Sequence, residues 1–241
     1  MLLNILLEFH FTQLLQPQWY IQNGGLWLLL FVVFAETGLF AGFFLPGDSL
    51  LFVGGIYAHE ITSAEGVVGP GLSHQFLNLI GLGGINNQWV DLIVLIALIA
   101  VAGIIGNMVG YWFGRKSGPA LYRRKDSFFF KQKYLHQAKD FYDKNGGFAI
   151  IVARFVPFLR TFAPIVAGIV QMDKKKYFFY NVVGCIAWVV TMVCAGFFLN
   201  KAFPSLQTKL ELIVIVIVLV STLPIIFKVI KSKREKKKHA S

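Results

Sequence analysis

Two arginines six residues apart, Arg154 and Arg160, stand inside NGGFAIIVARFVPFLRTFAPIVAGIV (residues 145–170), a stretch otherwise apolar enough for a bilayer. A guanidinium keeps its proton at ordinary pH, and burying one in hydrocarbon costs about 2.5–3.5 kcal/mol on insertion scales. Two in one segment call for an acidic partner, a water-filled cavity or an anionic ligand. Guanidinium makes bidentate, charge-assisted bonds to phosphate, so capture of a phosphate head group is one chemistry open to the pair. A holding ion pair is the other. The acids for such a pair, Glu36 and Asp48, lie in a second apolar tract, residues 26–58. Glu36 reads as a proton-carrying carboxylate. Asp48, directly after Pro46-Gly47, reads either as a second functional acid or as a turn or helix-cap residue.

The prolines decide how these charges are positioned. On an unbroken helix, residues six apart diverge by about 240°. Pro157 lies between the arginines, removes a backbone donor and disfavours helical geometry at Val156, and Pro164 follows. Residues 145–170 therefore read as a broken, re-entrant hairpin, with Pro46, Gly47, Pro157 and Pro164 shaping the two breaks. Irregular backbone at membrane depth is tolerated only where protein or water covers it.

Composition sets the surroundings. The chain has 241 residues, 56% hydrophobic and 15% charged, with a mean hydropathy of +0.64, which places it in a membrane as a single domain. Net charge is +11, and all 23 Lys and Arg lie at or after Arg115. These basic groups flank apolar runs, so nucleic acid is excluded as the partner. The lack of an N-terminal basic region argues against a cleaved secretory signal. Cys185 and Cys194 are about 13 Å apart on a helix, too far for a disulfide. The five histidines form no metal-ligand pattern, and neither metal nor cofactor is expected.

Along the chain, residues 1–16 suggest an interfacial helix. Residues 59–89 are rich in Gly, Ser and Asn and contain no basic residue, and residues 92–113 form a spanning helix. Gly106, Gly110 and Gly114 along that helix let another backbone approach. Residues 115–144 carry nine Lys/Arg against three Asp and suggest a basic amphipathic helix on the membrane surface. Spans at 177–199 and 210–227 follow, then a polybasic tail at 228–241. Basic loops stay on the cytoplasmic side. If residues 148–170 crossed fully, residues 174–176 and the tail would fall outside; if they enter and return, all three basic clusters are cytoplasmic. Asn23-Gly24-Gly25 and Asn145-Gly146-Gly147 each open an apolar run holding a charge, a proline and a second charge. The expected fold is thus an all-α, polytopic helical bundle with inverted repeats and two opposed re-entrant hairpins, whose site lies between the broken elements.

Glu36 with FFLPGDSLLFVGG, then GNMVGYWFGRKSG, ARFVPFLRTFAPIVAG, Asn181 and Trp188, resemble the bacterial DedA family of membrane proteins across residues 24–199. The resemblance implies a membrane domain at 1–227, a location in the bacterial cytoplasmic membrane and a role in envelope integrity. It also implies return of undecaprenyl phosphate across that membrane with dependence on the proton gradient. Carried over by motif, Glu36 and Asp48 would couple to protons or another ion, and Arg154 and Arg160 would bind the lipid phosphate. A translocase rather than an enzyme is therefore expected, acting on a membrane lipid with an anionic phosphate head group; a homo-oligomer is compatible. The alternatives are a gradient-independent phospholipid scramblase, an intramembrane lipid phosphatase and a purely architectural protein. The phosphatase lacks an evident nucleophile–base pair, since no histidine lies between His136 and His239 and no G-x-S-x-G elbow is present.

Overall fold

A computed structural model describes residues 17–39, 46–62, 68–123, 139–140, 142, 144 and 146–203. Its helices are α1 (Pro17–Gly38), α2 (Gly47–Ile56), α3 (Leu72–Leu79), α4 (Gln88–Arg123), α5 (Phe148–Arg154), α6 (Pro157–Ile169) and α7 (Lys174–Ala202). Outside the described residues lie the expected interfacial helix at 1–16, most of the basic amphipathic segment, Asn145, the span at 210–227 and the polybasic tail.

Among the described residues, two helices are long and apolar enough to cross a membrane: Gln88–Ala120, within α4, and α7 itself. They run antiparallel. Tyr177, Asn181 and Cys185 of α7 donate to the carbonyls of Asn107, Ile104 and Ala100, so one register falls as the other rises. Around this pair, large apolar side chains face outward, among them Phe31, Ile93, Val101, Ile105, Trp112, Phe179 and Ile186. Such a surface suits hydrocarbon rather than water.

The two broken tracts pack onto the pair in a reciprocal way. In α1, Gly25 adopts φ 55°, which kinks the helix. Leu26 then has a free backbone N–H, and the Gln75 side-chain carbonyl of α3 accepts it at 2.9 Å. Beyond the kink α1 runs along α4, where the Thr37 hydroxyl lies 3.5 Å from the Gly103 carbonyl and Gly38 packs on the backbone of Gly106. From Gly47, α2 returns along α7: Asp48 meets Trp188, and Asn200 donates to the Ile56 carbonyl at 3.3 Å. Leu72 N–H then bonds the Tyr57 carbonyl, bringing the chain back to α3 beside its starting point.

The second tract does the same from the opposite end. Gly147 packs on Tyr180 and Gly184 on Ile151, so α5 runs along the start of α7. It stops at Phe155, Val156 is extended (φ −112°, ψ 110°), and Pro157 opens α6. α6 returns along α4, where Gly110 faces Pro164, and Gly114 and Gly118 face the backbone of Ile165 and Ile169. Gln171 donates to the Arg115 carbonyl at 3.0 Å, and Arg115 donates to the Met172 carbonyl at 3.3 Å. The basic end of α4 and the basic start of α7 therefore lie side by side. Close approach at Gly106, Gly110 and Gly114 lets α1 and α6 share α4 without an intervening side-chain layer.

The larger apolar core lies among α1, α2, α4 and α7, with Leu29, Val33, Leu51, Val53, Leu95, Ile99, Val189 and Val193 buried. A smaller cluster of Tyr111, Ile150, Ala167, Val170 and Tyr177 holds α5 and α6. One departure from an all-helical chain is a three-residue antiparallel ladder, β1 (Glu60–Thr62) with β2 (Val68–Pro70), pairing Glu60 with Pro70 and Thr62 with Val68. Ile61, Thr62 and Val68 are β-branched and suit a strand, and Pro70, which has no N–H to give, stands at the end of the ladder.

Candidate functional site

Both breaks deliver charged side chains to the same place. Glu36 comes from the last turn of α1, Asp48 from the first turn of α2, and Arg160 from the first turn of α6. Arg160 is buried and donates through Nη2 to Glu36 Oε1 and through Nη1 to Asp48 Oδ1. One guanidinium thus bridges two carboxylates from the other tract. Trp188 of α7 completes the group. Its indole N–H donates to Asp48 Oδ1 at 2.9 Å, and its ring lies 5.0 Å from Arg160 Cζ, within cation–π range.

Local sequence explains much of this placement. Asp48 sits where a helix N-terminus favours negative charge; it does not cap α2, whose N-cap is Pro46. Arg160 sits near the N-terminus of α6, where the helix dipole opposes a cation, and two carboxylates offset that. Gly47 is required by contact: a Cβ there would fall on the Glu36 carboxylate. Pro46 and Pro157 stand at the two helix starts, whereas Pro164 lies inside α6 against Gly110.

Arg154 is positioned differently from Arg160: the holding ion pair that the sequence leaves open for the arginines forms at Arg160 and not at Arg154 among the described residues. Arg154 is 5% exposed, ends α5 and donates to Asn181 Oδ1 of α7, while Asn181 in turn donates to the Ile104 carbonyl at 3.3 Å. Among the described residues no carboxylate pairs with Arg154; the acids converge on Arg160 alone. Arg154 lies at the C-terminus of α5, where the dipole favours a cation, and Gly184 leaves space for its stem. Arg154 Nε, Arg160 Nε and Thr161 Oγ1 are buried side-chain atoms without a hydrogen-bond partner. Buried polar atoms are ordinarily satisfied, and Glu36 Oε2 at the same group is likewise buried without a partner.

A second polar cluster escaped the sequence reading. At the other end of α4, buried Asp91 accepts from the Ser73 hydroxyl at 2.7 Å and lies 2.6 Å from His59 Nδ1 and 3.3 Å from His74 Nδ1. The histidines are distant in sequence, and only the return of α2 to α3 brings them to one carboxylate. Asp91, opening an apolar helix with no basic neighbour in sequence, was the available signal. Because the Ser73 hydroxyl engages Asp91 and the Ala58 carbonyl rather than an imidazole, the cluster pins the loop region and is not a nucleophile–base pair.

The VTT domain family matches residues 73–198, about half of the chain. Protein DedA of Escherichia coli K12 is 36% identical over 213 residues, covering 87% of this chain and 85% of that protein. An uncharacterised membrane protein of Mycobacterium leprae is 37% identical over 195 residues, covering 81% and 75%. The inner membrane protein YqjA of E. coli K12 is 29% identical over 200 residues, covering 79% of each. No solved structure matches significantly. With membrane-spanning helices, broken tracts and a similarity that runs through both charged segments, the chain belongs to the DedA family of membrane proteins.

Proposed function

We propose that the protein is a lipid translocase of the bacterial cytoplasmic membrane. It would carry a lipid with an anionic phosphate head group, most specifically undecaprenyl phosphate, from one leaflet to the other. The observation that carries this reading is the uneven pairing of the two buried arginines: Arg160 is held by Glu36 and Asp48, whereas Arg154 has an amide but, among the described residues, no acid. An uncompensated buried guanidinium is a ready partner for phosphate.

Each broken tract starts and ends at the same end of the α4–α7 pair, and the two use opposite ends. That packing supports two opposed re-entrant hairpins related as inverted repeats. With the basic ends of α4 and α7 on the cytoplasmic side, Arg154 and Arg160 enter from the cytoplasm, and Glu36 and Asp48 from outside. A phosphate bound at Arg154 would next compete with the carboxylates for Arg160. Loss of that guanidinium would leave buried Glu36 and half-buried Asp48 without a counter-charge, a costly arrangement unless a proton joins them. Lipid movement and proton uptake would thereby be linked, with Glu36 and Asp48 as coupling groups. The lipid tail remains in the bilayer while the head group passes between the hairpin tips. No bond is made or broken in this scheme, so the protein acts as a transporter rather than an enzyme.

The test is a leaflet-resolved assay in sealed vesicles containing a defined polyprenyl phosphate or ordinary phospholipids, with and without an imposed proton gradient. The expected result is polyprenyl phosphate movement that responds to the gradient and is lost in Arg154→Ala. Equal, gradient-independent movement of ordinary phospholipids would favour scrambling instead, and release of inorganic phosphate would favour hydrolysis. Unimpaired movement in Arg154→Ala would refute the role assigned to that arginine.

A further inference from the structure

At the basic end of the pair, away from the bridged acids, a cavity of about 360 Å³ opens between α4 and the start of α7. Met108, Tyr111 and Trp112, with the stems of Arg115, Lys116 and Lys174, give it an almost wholly apolar lining, which leaves the three charged ends at its edge. Among the described residues no acid lines it, and none of the three cations forms an ion pair. The cations are partly ordered without being neutralised. Arg115 donates to the Tyr111 hydroxyl at 2.8 Å and to the Met172 carbonyl at 3.3 Å, and Lys116 Nζ stands 5.2 Å from the Trp112 ring centroid. Tyr111 is itself fixed by a parallel stack on Tyr177, with centroids 4.2 Å apart.

The apolar side continues beyond the cavity. Val101, Ile105, Met108 and Trp112 follow helical spacing along one face of α4, and Val101, Ile105 and Trp112 are 55%, 50% and 60% exposed. An apolar recess edged by three cations, with an exposed apolar stripe running from it along α4, matches an amphiphile rather than a free anion. We propose that this cavity is a binding site for an anionic diacyl phospholipid of the leaflet on the basic side. Its phosphodiester lies among Arg115, Lys116 and Lys174, its glycerol backbone lies against Trp112, and an acyl chain follows the α4 stripe. The site is separate from Arg154, Arg160 and the acids, and stands whether or not the protein moves lipid.

Native mass spectrometry of the full-length protein in neutral detergent, titrated with phosphatidylglycerol or phosphatidylcholine, tests this. The double variant Lys116→Gln/Lys174→Gln changes two exposed side chains and should fold normally, while Lys236→Gln/Lys237→Gln/Lys238→Gln controls for general attraction to the basic tail. At about 1 kcal/mol per basic residue near an anionic surface, the double variant should bind the first phosphatidylglycerol roughly thirtyfold more weakly. The tail variant should leave that first binding step unchanged, phosphatidylcholine should bind weakly throughout, and millimolar inorganic phosphate should not displace the lipid. A separate Trp112→Ala variant should weaken phosphatidylglycerol while retaining the charges. Equal affinity for the two lipids, displacement by inorganic phosphate, equal losses in the pocket and tail variants, or no loss in either pocket variant would each overturn the proposal.

Discussion

At the scale of single residues, the two arginines carry different burdens, and their variants should separate accordingly. Arg160→Ala leaves buried Glu36 and half-buried Asp48 without their shared cation, and breaking a buried pair such as Arg160–Glu36 typically costs about 3–5 kcal/mol. A clear fall in the thermal midpoint of the purified protein is expected. Adding Glu36→Gln and Asp48→Asn to Arg160→Met should recover most of the lost stability, while leaving lipid movement absent. Recovery of movement together with stability would show that the triad only holds the hairpins together. Arg154→Ala removes a buried charge that has no acidic partner among the described residues, at the cost of leaving the Asn181 amide oxygen unpaired. It should therefore lower the midpoint less than Arg160→Ala does, while lipid movement falls by at least about tenfold, the loss of one hydrogen bond to a charged group worth some 1.5–3 kcal/mol. At the membrane surface, the Lys176 backbone N–H holds the Asp173 carboxylate below its usual pKa. The stabilisation from this cap is present above the unfolded carboxylate value and is lost as pH falls through the lower folded value. Asp173→Ala should lower the midpoint at neutral pH, and the gap from native should close in strong acid. A gap that stays constant with pH would contradict this origin.

At the scale of elements, the breaks and glycine contacts position the site. Gly114 has the Ile165 carbonyl where a Cβ would go, so Gly114→Leu must part α6 from α4. Overpacking of this kind costs about 1–3 kcal/mol. A lower midpoint and reduced lipid movement are expected together, because α6 also carries Arg160; an unchanged midpoint would show that the contact is slack. Much at this scale was legible in sequence. Pro157 and its effect on Val156 announced the break between α5 and α6, and long apolar runs announced α4 and α7. The partner of each charge was less legible. Glu36, Asp48, Arg154 and Arg160 stood out in the sequence as unlike charges in two apolar tracts, but Asn181 of α7 takes Arg154, and Trp188 joins Asp48. Pairings of this kind depend on the register between helices far apart in sequence, which periodicity within one helix does not encode. The same reason hid the convergence of His59, Ser73 and His74 on Asp91.

At the scale of the whole molecule, functional weight falls on reciprocal packing: α1 and α6 lie along α4, while α2 and α5 lie along α7. Every Lys and Arg lies at or after Arg115, and the described basic segments at 115–116 and 174 meet at one cavity. If the hairpins enter from opposite sides, their unlike charges meet inside the bilayer and form a polar passage for an anionic head group. The most direct check is cysteine accessibility in intact cells and in inverted vesicles, on a background lacking Cys185 and Cys194. Single cysteines at Lys144 and Gln171 flank the second hairpin, and one at Asn86 reports the opposite end; all three positions are exposed or at a helix boundary. Opposed hairpins predict that Lys144→Cys and Gln171→Cys label from the same, cytoplasmic side, and Asn86→Cys from the other. Labelling of positions 144 and 171 from opposite sides would make residues 148–170 a full crossing and contradict the arrangement on which the proposed transport depends.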